Sequence, residues 1–231
     1  MKRIFTLSLF FSLAIGAYAQ EGPSSPKTVE ELYLETSVEV QVVKTLAAEL
    51  SRDSKKQALE VVAGMIESGK ANSDNLEVLA VLDELGGEGT TKEVRINGRL
   101  MNDYPEIRRQ SAELLGQLGG EKSRDILILM ALKDQEPMVL AEAVYSLGLI
   151  EPDSSGRVES VISQLVRSQD AIRPDNNFAY AAISALESIG RSRKGKVNPE
   201  VFVSLIQIAQ GNYIRAVRSK AIKVLDEFRK Y

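Results

Sequence analysis

The stretch PEIRRQSAELLG (residues 105–116) returns as PMVLAEAVYSLG (137–148), with proline on proline, leucine on leucine and glycine on glycine at a register of 32. Nothing else in the chain restricts its fold as strongly. A short unit recurring at such a period cannot bury its apolar face alone, so copies must stack and bury one another's. Weaker copies are LEVLAVLDELG (76–86), AYAAISALESIG (179–190) and VRSKAIKVLDEF (217–228), where Asp226 replaces the final glycine. The closing positions Gly86, Gly116, Gly148, Gly190 and Asp226 are 30, 32, 42 and 36 residues apart.

Within each copy the periodicity is helical. Apolar residues fall three or four apart at Leu46 and Leu50, at Leu59, Val62 and Ile66, and at Leu79, Leu82 and Leu85. Val38, Val40 and Val42 alternate like a strand, but Leu46 and Leu50 continue them at helical spacing. Thr28 with Glu31, Thr36 with Glu39, Asp74 with Glu77 and Thr90 with Glu93 match the capping box of a helix start. Pro105, Pro137 and Pro199 suit the first helical position, where a missing amide hydrogen costs nothing. Gly69, Gly86, Gly119 and Gly211 mark stops. A further helix precedes the repeated one, as in RDILILMAL (124–132) and EVFVSLIQIA (200–209). The reading is all-α: an N-terminal capping helix over about 28–51, then five helix pairs forming an α-solenoid. Their second helices are expected near 74–86, 104–118, 136–149, 176–190 and 212–229.

NDYPEIRRQSAELLGQLGG (102–120) and LKDQEPMVLAEAVYSLG (132–148) resemble HEAT repeats of the short, PBS-lyase type. The resemblance extends the solenoid over about 37–231. It also implies a structural ladder in which an Asp and an Arg of each repeat brace neighbouring units. Asp103 and Arg108 fit that ladder. Asp134 fits, with Leu140 where its Arg would stand; Arg218 fits, with Tyr213 at the Asp position.

The N-terminus carries an address. Lys2 and Arg3 precede an apolar run, Ile4–Ala17, and Ala17-Tyr18-Ala19 is a small-x-small cleavage site. This pattern predicts a signal peptide over 1–19, cleaved at Ala19–Gln20, and export to the periplasm or medium. The run is too short to span a bilayer, and no transmembrane segment is expected. QEGPSSPK (20–27) reads as a flexible tail, and 28–231 as one solenoid domain. With no cysteine in the sequence, neither a disulfide nor a lipid anchor at the cleavage point is available. The net charge of −3 hides an asymmetry: residues 191–231 are strongly basic and the rest is acidic.

The catalytic inventory is short. Zero His and zero Cys exclude imidazole or thiolate metal sites and Ser-His or Cys-His nucleophiles, so neither a metal nor a cofactor is expected. On the same ground, relatives that hold a di-iron centre or attach pigments are poor guides. An acidic exported chain is not a nucleic-acid binder. The Ser24-x-x-Lys27 match lies in the tail, where nothing positions it. Abundant Asp and Glu keep a carboxylate-pair hydrolase formally open, although helix starts and solvated faces account for most of them. The expectation is a protein that is not an enzyme.

Three stretches stand out for binding. Residues 167–180 read as a loop offering Arg173, Asn176, Asn177, Phe178 and Tyr180, with a tolerated surface insertion as the plainer alternative. The basic end offers Arg191, Arg193, Lys194, Lys196, Arg215 and Lys223, against the plainer reading of a solvated face. The pair Arg108–Arg109 divides into a structural Arg108 and an Arg109 on the helix flank. The leading functional expectation is a non-catalytic periplasmic scaffold holding a protein partner on the solenoid's concave face. The runner-up is an adaptor to anionic envelope lipid or polymer through the basic end. A wall hydrolase comes third.

Overall fold

A computed structural model describes residues 28–231, without the side chains of 30–36. The expected signal peptide and the 20–27 tail lie outside the described residues. Ten helices and one small hairpin follow in order: α1 (Val29–Ala48), α2 (Arg52–Glu67), α3 (Leu76–Gly86), β1 (Arg95–Ile96), β2 (Arg99–Leu100), α4 (Pro105–Leu118), α5 (Gly120–Lys133), α6 (Pro137–Leu147), α7 (Arg157–Ile172), α8 (Asn176–Ser192), α9 (Pro199–Gln210) and α10 (Arg215–Phe228). None of the described helices is long and apolar enough to cross a membrane.

The fold is an all-α solenoid. Consecutive helices pair as α1/α2, α3/α4, α5/α6, α7/α8 and α9/α10. The second helices (α2, α4, α6, α8, α10) pack one on the next in one row, and the first helices form the other. One apolar core runs between the rows, from Val40 through Leu82, Leu115, Leu147 and Leu186 to Phe228. Five pairs therefore stand as the repeats imply, but two helices change places. α3, expected in the second row, lies in the first, paired with α4 and flanked by α1 and α5. The expected cap, α1, is simply the first helix of the first pair.

Local chemistry explains the boundaries. Pro105, Pro137 and Pro199 each open their helices. Ser51, Asn75 and Asp175 cap α2, α3 and α8 by accepting from Ser54 N, Val78 N and Phe178 N. The start of α3 is thus capped by Asn75 and not by Asp74. Thr90 and Glu93 open no helix at all, because the Thr90 hydroxyl donates back to Gly87 O at 3.0 Å. Residues 87–104 instead form a long connection carrying the β1–β2 hairpin. Its turn is Asn97-Gly98, with φ of 51° and 78°, the left-handed pair that a tight hairpin requires.

Three of the closing glycines are contact sites in the second row. A Cβ on Gly116 would come within 2.7 Å of Ser146 Cβ on α6; one on Gly148 would strike Ala185 of α8, and one on Gly190 the ring of Phe228 on α10. Gly86 looks equivalent in sequence, yet its nearest neighbour is Met130 of α5, a first-row helix. The interval of 42 also resolves. The expected 167–180 loop is mostly helix, leaving only 173–175 between α7 and α8, and the extra length sits in these longer helices and in the 148–156 connection.

Candidate functional site

Arg108 is buried, 3% exposed, and belongs to the architecture. Its Nε donates to Asp134 at 2.6 Å, and its Nη1 donates to Asp103 at 2.7 Å and to Glu88 O at 3.0 Å. One guanidinium thus ties the base of the hairpin connection to the α5–α6 turn of the next pair. Beside it, the buried Lys55 ammonium meets Glu88 at 2.6 Å and donates to Ala47 O at 2.8 Å. Burial pushes the Glu88 carboxyl above its ordinary value despite the Lys55 partner. The Asn102 side chain closes the network, donating to Lys92 O and accepting from Val94 N. Arg218, placed in the ladder by sequence, is exposed and makes no ion pair among the described residues. Its expected Asp position holds Tyr213, which is buried with its hydroxyl pushed up by burial and by Asp170.

The basic end divides in two. Arg191 donates to Glu227 and Glu187, each at 2.6 Å. Arg193 is largely covered and donates to the fully buried Glu159 at 2.7 Å. Both are expected from sequence to meet a partner; both are consumed by the fold. Lys194, Lys196, Arg215 and Lys223 are exposed and form no ion pair among the described residues.

The residues expected on the loop also separate. Phe178 is 1% exposed and part of the core, so it is not a contact residue. Its position is the first inward turn of α8, fixed by the Asp175 cap. Asn176 accepts from Ile214 N at 2.9 Å, joining α8 to the start of α10. Arg173 lies exposed at the end of α7, beside a cleft of about 610 Å³ lined by Glu136, Gln169 and Asp175. Asn177 and Tyr180 face elsewhere, onto the second-helix surface.

That surface holds the candidate docking site. Met138, Ala141, Glu142 and Tyr145 of α6 face Asn177, Tyr180 and Ala181 of α8 across a groove of about 330 Å³. Met138 (47% exposed), Tyr145 (45%) and Tyr180 (50%) present apolar and aromatic area to solvent side by side. The groove walls are held by ions. On one side Arg109 donates to Glu142 at 3.2 Å and to Glu113 at 3.3 Å; burial raises the Glu142 carboxyl pKa, and Arg109 offsets part of that. On the other, Lys220 of α10 donates to Glu187 at 2.8 Å and sits 4.8 Å from the Tyr180 ring centroid. Asn177 and Tyr180, singled out by the sequence, line this groove; Met138 and Tyr145 line it too and are not singled out. Their signal is present in the repeat itself: within the PMVLAEAVYSLG copy they occupy the helix positions that PEIRRQSAELLG fills with polar Glu106 and Glu113. No cluster of His, Cys, Asp or Glu suited to a metal occurs among the described residues.

Neither a family model nor a curated protein matches the chain. Chains of solved structures do. One belongs to the complex of CpcE and CpcF of phycocyanin lyase from Nostoc sp. PCC7120, with a TM-score of 0.56, 14% identity, and coverage of 92% of this chain and 70% of that one. At this identity the likeness is one of fold, and it supports a HEAT-like helical repeat. It also corrects one expectation. The absence of His and Cys points to a protein that is not an enzyme, and sets pigment-attaching relatives aside. The same architecture serves a lyase, so a short catalytic inventory on this scaffold is no ground for that exclusion.

Proposed function

We propose that the chain is a protein-binding helical solenoid whose docking face is the second-helix row, centred on the groove between α6 and α8. The observation that carries this reading is the run of Met138, Tyr145 and Tyr180, half exposed and adjacent on a surface whose remaining polar groups are largely paired with one another. Aromatic and methionine side chains on a rigid support offer large contact area at low entropic cost. The fold neighbour comes from a complex of two proteins, which fits a scaffold used for assembly. The Lys2-Arg3 start, the apolar Ile4–Ala17 run and the Ala17-Tyr18-Ala19 site support a reading as an exported chain, whose partner would be met in the periplasm or outside the cell.

The test is site-specific photocrosslinking in cells. A photoreactive residue at Tyr145 or Tyr180 is expected to capture a partner, whereas one at Val203, exposed on first-row α9, is not. Capture from Val203 alone would move the interface to the other row and end this reading. Export is tested separately by sequencing the N-terminus of the protein from the soluble envelope fraction, which should begin at Gln20.

A further inference from the structure

Resting on that reading, the charge left over on the same face defines the partner's chemistry. Every acid of α4, α6, α8 and α10 is engaged within the molecule. Glu106 pairs with Arg52, Glu113 and Glu142 with Arg109, Glu187 with Arg191 and Lys220, Asp226 with Arg229, and Glu227 with Arg191. Of the cations on those four helices, Arg108, Arg109, Arg191 and Lys220 are spent in these or deeper pairs. Arg215, Arg218 and Lys223 are exposed and form no ion pair among the described residues. Arg215 and Lys223 lie on the outward side of α10, the helix whose Lys220 meets Tyr180 at the border of the groove, whereas Arg218, two residues before Lys220 and at the repeat position of the buried Arg108, lies on the opposite flank. The face is therefore neutral and apolar over α6 and α8, and carries an excess of positive charge over α10, where Glu227, already paired with Arg191, is the acid nearest Lys223.

We infer that this face takes an extended acidic peptide segment, its apolar anchor seated among Met138, Tyr145 and Tyr180 and its carboxylates against Arg215 and Lys223. Complementary charge selects and orients a partner, and a desolvated anchor supplies most of the affinity. An anionic bilayer fits less well. It is flat, and would press the ion-paired Glu113, Glu142 and Glu187 against its own negative head groups along with the cations.

The experiment pans a displayed library of random peptides of about 12 residues, long enough to cross two helices of a groove, against the purified chain. Enriched sequences are expected to combine several Asp or Glu with an aromatic or large aliphatic residue. A synthetic peptide of the enriched sequence should bind roughly tenfold more weakly to Arg215→Glu/Lys223→Glu, and more weakly as salt rises. These side chains make no ion pair among the described residues, so the variant should keep the wild-type circular dichroism. Tyr180→Ala should weaken the same peptide. Enrichment without acidic residues, or binding indifferent to the charge reversal but lost in Tyr180→Ala, overturns the acidic partner and leaves the docking face standing. No enrichment, or binding unaffected by both variants, removes both. Sedimentation with phosphatidylglycerol vesicles, abolished by the charge reversal and accompanied by no peptide binding, would assign the cations to a membrane instead.

Discussion

Arg108 and Arg218 occupy the same position in their repeats, one at the α4 junction and one at the last pair. Arg108 is sealed between two helix pairs because the α5–α6 turn of the following pair delivers Asp134 to it. Arg218 belongs to the final pair among the described residues, so no following turn delivers an acid, and its own Asp position holds Tyr213. The side chain type is the same; its neighbour differs. Inside the array an arginine is a brace, and at the end of the described residues it is an exposed cation open to a partner. A buried ion pair depends on both members, because the cost of desolvating each charge is offset only by the other.

Breaking the brace should give the largest effect. Arg108→Ala leaves the Asp134 carboxylate buried without its cation and is expected to cost about 3–5 kcal/mol in urea unfolding. A cost below about 1 kcal/mol would show that water, and not Arg108, satisfies Asp134. Next comes the close packing of the second row. Gly148→Ala places a methyl group against Ala185 of α8 and should destabilise by about 1–3 kcal/mol, read as a lowered urea midpoint with an unchanged slope.

The buried acid of the junction gives a pH test. Burial raises the Glu88 carboxyl in the folded protein, so the folded state holds that proton more tightly than the unfolded chain does. The associated stability is complete below the ordinary value of 4.5 and is lost as pH rises through the elevated folded value. The stability of the wild type minus that of Glu88→Gln should therefore fall as pH climbs from 4.5 through that elevated value. Each tenfold gain in proton affinity on folding contributes about 1.4 kcal/mol. A difference that rises with pH would mean that Lys55 outweighs desolvation. The smallest effect closes the comparison: Arg218→Ala should change stability by no more than about 0.5 kcal/mol. A loss as large as that of Arg108→Ala would reveal an acid that reaches it.

Much of the fold is legible because it is local and periodic. Prolines at 105, 137 and 199 open helices through their own backbone geometry, and Gly116 to Gly148 repeats a contact of one kind. Gly86 misleads because a glycine at a helix end has the same appearance whichever row it faces. The hairpin is written in Asn97-Gly98 between Arg95-Ile96 and Arg99-Leu100, but the Thr90–Glu93 spacing imitates a helix start. Phe178 and Tyr180 are two residues apart, and only the helix phase set by Asp175 sends one inward and the other out.

The repeat in the sequence determined that the chain is helical, that its helices pair, and that the pairs stack, since each amphipathic unit has apolar area that only a neighbouring copy can bury. The tertiary structure decided which helix entered which row and which charges survived. Arg193 meets Glu159, Arg191 meets Glu227, and Arg108 meets Asp134 across gaps of 34, 36 and 26 residues. Stacking brings such pairs within 3 Å, and what they leave unpaired is the part of the basic end that faces solvent.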